Sequence, residues 1–107
     1  MMKNIEMATV LNLKDEIDYQ PGQVVSKTLV QNDRVSLTLF SFDAGEEIST
    51  HKSGGDAMVQ CLDGEGKITI DGKDYFLIAG QSIVMPAGHP HAVKAEKPFK
   101  MLLTVVF

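Results

Sequence analysis

Apolar residues alternate with polar ones in short runs along most of this chain, and this alternation limits the folds available to it. From residue 26 onward the period is two, as in residues 35–39 and 67–70, and turn-forming residues separate the runs. A period of two places alternate side chains on opposite faces of a strand, whereas a helix needs a period near 3.6. The pattern therefore predicts short β-strands that each have one buried face.

Turn chemistry predicts how the strands are connected. Asp71-Gly72 is the strongest hairpin signal, because a two-residue type I′ turn needs positive φ at both central positions, and it should join strands at about 65–70 and 73–78. Asn32-Asp33 should join strands near 24–31 and 34–42, and residues 63–66 (Asp-Gly-Glu-Gly) indicate a third turn. These signals together predict an up-and-down arrangement.

The two ends of the chain differ in the strength of their patterns. Residues 99–107 carry apolar side chains on both parities, which predicts a last strand buried on both faces, or nearly so. Near the start, residues 9–13 could form a strand and residues 14–19 a single helical turn, which Pro21-Gly22 would end. About eight or nine short strands with almost no helix indicate an all-β barrel or sandwich.

Composition excludes several functional classes. A chain of 107 residues forms one domain, and its net charge of −4 provides no basic face for nucleic acid or an anionic membrane surface. No stretch is long and apolar enough to cross a bilayer, and the first residues have no signal-peptide pattern. With Cys61 as the lone cysteine, a reducing cytoplasm is the expected location.

Two glycine-punctuated segments carry a family resemblance. Residues 45–64 read GEEISTHKSGGDAMVQCLDG and residues 80–91 read GQSIVMPAGHPH. Together they resemble the two motifs of the cupin superfamily, G-x5-H-x-H-x3-E-x6-G and G-x5-P-x-G-x2-H-x3-N. The resemblance implies a single-domain cupin over residues 1–107, an RmlC-like jelly-roll β-barrel with a motif core at about 35–107. Residues 1–22 would be an N-terminal extension that packs on or near the barrel.

The resemblance also implies a metal site of which only half is present. Cupins that bind iron, manganese, nickel or zinc use three histidines and a glutamate, and here His51 and His91 occupy two of those four positions. Ser53 and Ala57 replace the second histidine and the glutamate, and Ala95 replaces the closing asparagine. A methyl group cannot bind a metal, and a neutral hydroxyl is a poor ligand for these ions.

Other side chains near these positions are weaker candidate ligands. His89 would share a face with His91 if the segment were extended, but Gly88-His89-Pro90 resembles a turn, which breaks the parity argument. Asp56 is one residue from the missing glutamate, so only a bulge would direct its carboxylate inward; otherwise it is a turn residue.

The same motif strands predict a pocket wall inside the barrel. Ala57, Val59 and Cys61 share one parity, and the resemblance directs these three inward. Ser53 would line the same cavity with the two histidines, and Met85, which directly precedes Pro86, could add an adaptable apolar wall. Ordinary core packing is the alternative for Cys61 and for Met85. Cys61 could also be a soft metal ligand or a redox-sensitive thiol in the pocket.

Functions of different classes fit these residues. We expect a small cupin-fold protein that binds a small organic molecule in its barrel, with a weakly held divalent ion on His51 and His91. The alternative is a metal-dependent small-molecule enzyme, dioxygenase- or isomerase-like, with an atypical ligand set. A metal-free enzyme with a histidine base and a pure scaffold are further alternatives. A homodimer formed through an outer sheet is the expected assembly.

Overall fold

The computed structural model describes all 107 residues and confirms the predicted all-β class. One 3-10 helix, Leu13–Asp15, precedes eight strands. The strands are β1 (Val24–Gln31), β2 (Val35–Phe42), β3 (Glu47–His51), β4 (Asp56–Ile70), β5 (Lys73–Ile78), β6 (Ser82–Met85), β7 (His91–Lys94) and β8 (Phe99–Val106). Every strand pair is antiparallel.

Strand β4 belongs to two sheets. Its first part pairs with β8 and β6 in a sheet that β2 and β1 extend beyond β8. Its second part pairs with β5 and β7, and β3 completes that second sheet beyond β7. A single 15-residue strand therefore connects the two walls of the barrel.

The turn predicted at residues 63–66 is wrong, because these residues lie inside β4. The pairing of β4 with β8 shifts register between Cys61 and Asp63, and Gly64 has a φ of +72°. Such a bulge bends a strand without ending it. A side chain at Gly64 would also collide with the carbonyl oxygen of Pro98. Glycine is therefore required at this position both for its positive φ and for the close approach of Pro98.

The two predicted hairpins are confirmed, but the up-and-down arrangement is wrong. Asn32-Asp33 connects β1 to β2, and Asp71-Gly72 connects β4 to β5. The other pairings join strands that are distant in sequence, such as β2 with β8 and β3 with β7. Turn chemistry acts locally and contains no information on these long-range partners, which form because the apolar faces of both sheets must cover each other.

The main core fills the space between the two sheets. Twelve buried residues form it: Phe42, Ala57, Val59, Cys61, Ile68, Leu77, Met85, Val93, Ala95, Phe99, Met101 and Val105. Strand β8 is buried on both faces over Phe99–Leu102, as predicted, whereas Val106 at its end is exposed. The second face of β8 is covered by a smaller cluster that contains Ile17, Leu29, Leu39 and Leu102.

Residues 1–22 lie against the outer face of β1, β2 and β8. Buried Ile17 packs on Leu39 and Leu102, and the hydroxyl of Ser41 donates a 2.7 Å hydrogen bond to the carbonyl of Asp18. The strand predicted at residues 9–13 is wrong, and the helical turn begins at Leu13 and ends at Asp15. That helix is far too short to span a membrane.

Candidate functional site

The two motif histidines lie on neighbouring strands and face each other. His51 ends β3, His91 begins β7, and the pairing of these strands places the two residues directly opposite. Their rings meet edge to face, with centroids 4.4 Å apart and planes at 73°. The register shifts between Ile48 and His51, so this juxtaposition depends on an irregularity in β3 rather than on regular alternation.

The closest atoms of the two rings are their Nε2 nitrogens, 3.2 Å apart. Two nitrogens that each bind one metal ion at about 2.0–2.1 Å lie between about 2.8 Å apart, in octahedral geometry, and about 3.4 Å apart, in tetrahedral geometry. The separation of the Nε2 atoms therefore matches that of two ligands on one ion.

The hydrogen bonds of the other ring nitrogens determine the tautomers. Nδ1 of His51 lies 2.9 Å from the carbonyl oxygen of Ser49, and Nδ1 of His91 lies 3.2 Å from that of His89. A carbonyl oxygen only accepts hydrogen bonds, so both Nδ1 atoms carry hydrogen and both Nε2 atoms of the neutral rings carry a lone pair. Two lone pairs that face each other at 3.2 Å repel unless a cation or a proton lies between them.

Burial makes a proton between the two rings unfavourable. His91 is only 2 % exposed, and burial lowers its pKa from the ordinary 6.5, with a further lowering by the neighbouring His51. The hydrogen bond to the His89 carbonyl opposes this shift. The ring of His51 is exposed, so the pair has one buried and one solvent-facing member.

His89 is connected to this pair only through its backbone. Its exposed ring lies 2.6 Å from a carboxylate oxygen of Asp71, in the hairpin turn between β4 and β5. Its carbonyl accepts the Nδ1–H of His91. The contact with Asp71 directs the ring of His89 away from the His51–His91 pair, as expected for a residue in the predicted turn.

The predicted wall residues on β4 and β6 face inward and belong to the core. Ala57, Val59, Cys61 and Met85 are each at most 2 % exposed. Ala57 pairs with Met85 on β6 and with Val105 on β8, so the position of the missing glutamate has apolar neighbours on both sides. No carboxylate takes its place, because Asp56 is exposed and accepts the amide N–H of Ala87.

Cys61 and Ser53 are engaged in local contacts. The Cys61 thiol is directed at the carbonyl oxygens of Asp63 and Gly64, both at 3.6 Å, and burial raises its pKa to about 11. A thiol with a raised pKa is neither a nucleophile nor a ready ligand at neutral pH. Half-buried Ser53 accepts the amide N–H of Gly55 through its hydroxyl at 3.2 Å.

The cavities of the molecule lie elsewhere. One of about 210 Å³ is formed by β4, β5 and the loop before β8, a second lies along β5 and β6, and a third surrounds the β1–β2 turn. None is lined by His51 or His91. A molecule that reaches the histidines in this conformation must approach from the exposed side of His51.

Two contacts of the site had no signal in the sequence. The Ser49 carbonyl orients His51, and any residue type could supply a backbone carbonyl at that position. The sequence marks Asp71 only as a hairpin residue. Its contact with His89 forms because the β4–β5 turn lies beside the loop before β7, which the sequence does not indicate. The contact of the Asp71 amide with the Pro90 carbonyl holds these two loops together.

Comparisons with known proteins agree with the fold. A family model described as a cupin domain matches residues 38–107. The HTH-type transcriptional regulator PuuR of Escherichia coli is 36 % identical over 95 residues, which are 81 % of this chain and 49 % of the regulator. The chain therefore spans about half the length of this curated relative.

Solved structures with the same fold include closely similar ones. A conserved protein of unknown function from Streptococcus pyogenes is 50 % identical, with a TM-score of 0.96 over 98 % of this chain and 92 % of that one. A cupin superfamily protein from Desulfitobacterium hafniense is 34 % identical, with a TM-score of 0.95 over 100 % of this chain and 98 % of that one.

Proposed function

Since the chain belongs to the cupin family, we propose that it is a small-molecule-binding barrel in which His51 and His91 together hold a divalent metal ion. The proposal rests on the 3.2 Å separation of the two Nε2 atoms, which both carry a lone pair when each Nδ1–H is donated to a carbonyl. An ion between them would turn a repulsive contact into two bonds. Imidazole nitrogens suit zinc, iron and nickel.

The residues fit such an ion as half of a ligand set. No third histidine, cysteine, aspartate or glutamate joins the pair in a metal-binding arrangement. The remaining coordination positions would belong to water or to a bound molecule, so the ion would be weakly held and exchangeable. When bound, it would supply a Lewis-acidic centre at the exposed edge of His51.

The backbone contacts of both rings support the same role. Histidine ligands in metalloproteins usually donate the N–H that does not face the metal to a carbonyl or a carboxylate, which fixes the tautomer and the ring orientation. His51 does so through Ser49 and His91 through His89. Both Nε2 lone pairs would therefore be oriented before a metal ion binds.

The regulator among the relatives favours binding without a reaction. The matched part is about half of PuuR, a protein described as a transcriptional regulator. We propose that this chain recognises a small molecule, and that the histidine pair is where recognition occurs. The metal-dependent enzyme is the second reading, which would require turnover of the bound molecule.

Metal analysis and thermal melts of protein made without a histidine tag test the proposal. At an ion concentration one hundred times the Kd, binding should stabilise the native state by about 2.7 kcal/mol, because ions bind the folded site. We expect zinc, nickel, iron or manganese to raise the Tm. The His51→Ala, His91→Ala double variant should lose this response, and His89→Ala should keep it.

Two results would contradict the proposal. One is a Tm that no divalent ion changes. The other is a metal-dependent rise of equal size in the double variant, which would assign the binding to other residues such as the exposed His89–Asp71 pair.

A further inference from the structure

The charge of the candidate site restricts what it can bind. Both of its protein ligands are neutral, because each Nδ1–H is donated to a backbone carbonyl and each Nε2 offers only a lone pair. A site of this kind adds no negative charge to the ion. A divalent ion held by His51 and His91 would retain its full charge of +2.

The surroundings do not compensate that charge. Ala57, 1 % exposed, stands in the glutamate position of the motif between Met85 and Val105, and all three belong to the apolar core. Asp71 contacts the His89 ring and Asp56 accepts the Ala87 amide, and no acidic side chain joins the two histidines as a ligand. Because His91 is buried, the charge of an ion bound to it would be poorly screened by water and would favour an anionic partner.

From these neutral ligands and this apolar wall, we infer that the ligand of the site is a small anion that chelates the ion through oxygen. The inference rests on the proposed function. Two protein ligands leave two positions of a tetrahedral ion open and four of an octahedral one. A carboxylate with a neighbouring hydroxyl or carbonyl oxygen, as in 2-hydroxy and 2-oxo acids, fills two adjacent positions and supplies the missing negative charge.

The packing around the histidines also limits the size of the ligand. The twelve-residue core fills the space between the two sheets, and no cavity reaches either histidine. The open side of the ion would face solvent beside the exposed ring of His51. A compact acid of a few carbon atoms can reach the ion there without displacing core side chains.

Cobalt(II) provides a direct test, because its visible absorption reports the number and type of its ligands. Protein loaded with cobalt is titrated with lactate, with lactamide and with acetate. Lactamide has the shape of lactate without its charge, and acetate has the charge without the neighbouring hydroxyl group. We expect lactate to change the spectrum with an affinity at least about tenfold above that of either control, because only lactate combines charge with chelation.

The outcomes separate the two levels of inference. Equal affinities for lactate and lactamide, or no response to either, in protein that binds cobalt would overturn the anionic ligand and leave the metal site intact. A tenfold preference for lactate over lactamide but not over acetate would support the charge requirement and overturn chelation. Failure of the protein to take up cobalt at all would overturn the proposed function itself.

A variant changes the charge of the site without removing a histidine. Ala57→Glu restores the carboxylate of the motif, which should tighten cobalt binding and weaken lactate binding, because the ion loses charge and an open position. Circular dichroism checks that the variant folds. If the variant does not fold, the comparison of lactate with lactamide on the parent protein still decides whether the site prefers an anion. A folded variant with unchanged lactate affinity would count against the charge argument.

Discussion

The buried ring of His91 makes the metal-free native state sensitive to acid. Burial and the neighbouring His51 lower the pKa of His91 in the folded chain below the ordinary 6.5. In the pH range between the folded and unfolded pKa values the unfolded chain binds more protons, so the free energy of unfolding falls as pH falls. The stabilisation is fully present above the unfolded pKa and is lost as the pH falls through the folded pKa.

We therefore predict that urea unfolding of EDTA-treated protein gives a lower free energy of unfolding at about pH 5.5 than at about pH 8. His91→Gln removes the titrating ring and should flatten this dependence. An equal slope in His91→Gln and the parent would show that another group is responsible.

At the scale of elements, β4 is the strand on which both sheets depend, and glycine allows it to pass between them. A side chain at Gly66 would lie 2.5–2.7 Å from ring atoms of Phe99. That ring cannot retreat, because Phe99 is completely buried and stacks on Phe42 with centroids 5.5 Å apart. The close approach of backbone and ring at Gly66 is part of the core packing.

Gly66→Ala should consequently lower the free energy of unfolding by about 1–3 kcal/mol, the usual cost of overpacking a core. Gly54→Ala is the matched control, since a side chain there meets no atom within 4 Å and its φ is not positive. It should change stability by less than about 0.5 kcal/mol. Chemical denaturation of both variants provides the comparison, and equal effects would refute the role assigned to the Phe99 contact.

Local chemistry explains which elements could be predicted. Asn32-Asp33 and Asp71-Gly72 specify tight turns through their own conformational preferences, so both hairpins were correct. Residues 63–66 have the composition of a turn. In the fold, however, Gly64 lies against Pro98 and Gly66 against Phe99, which come from a distant segment. Only the pairing with β8 shows that these glycines permit close packing in a continuous strand.

The candidate site, like the fold, could be predicted from the sequence only in part. Motif spacing identified His51 and His91, but not that their Nε2 atoms would face each other. That geometry depends on the register of β3 with β7, which shifts between Ile48 and His51. A single-residue shift in a strand reverses the direction of its side chains, so spacing alone cannot determine the approach of the two rings.

At the scale of the whole molecule, the outer face of the β4–β6–β8 sheet has an exposed apolar patch. Met58, Val84 and Val106 form it, at 39 %, 51 % and 58 % exposure, on the side opposite the core. The N-terminal segment covers the neighbouring part of this sheet at Leu39 and Leu102 and leaves the patch open. Apolar patches of this kind commonly form interfaces, and twofold dimers are the commonest assemblies.

We therefore predict a homodimer that buries this patch, measured by sedimentation velocity over a dilution series. The Met58→Lys, Val84→Lys double variant should sediment as a monomer. Ile78→Lys introduces the same charge at an equally exposed position, 55 %, on the other sheet and should leave the dimer intact. A monomeric parent protein, or a double variant with the mass of the parent, would contradict this assembly.

Anomalous diffraction from a crystal soaked in zinc tests whether one ion joins His51 to His91. We expect an anomalous peak between the two rings, about 2.0–2.1 Å from each Nε2 atom. Each Nδ1 should keep its hydrogen bond, to Ser49 for His51 and to His89 for His91. A peak at His89 and Asp71 with none between His51 and His91, or no peak at all, would contradict a metal site at this pair.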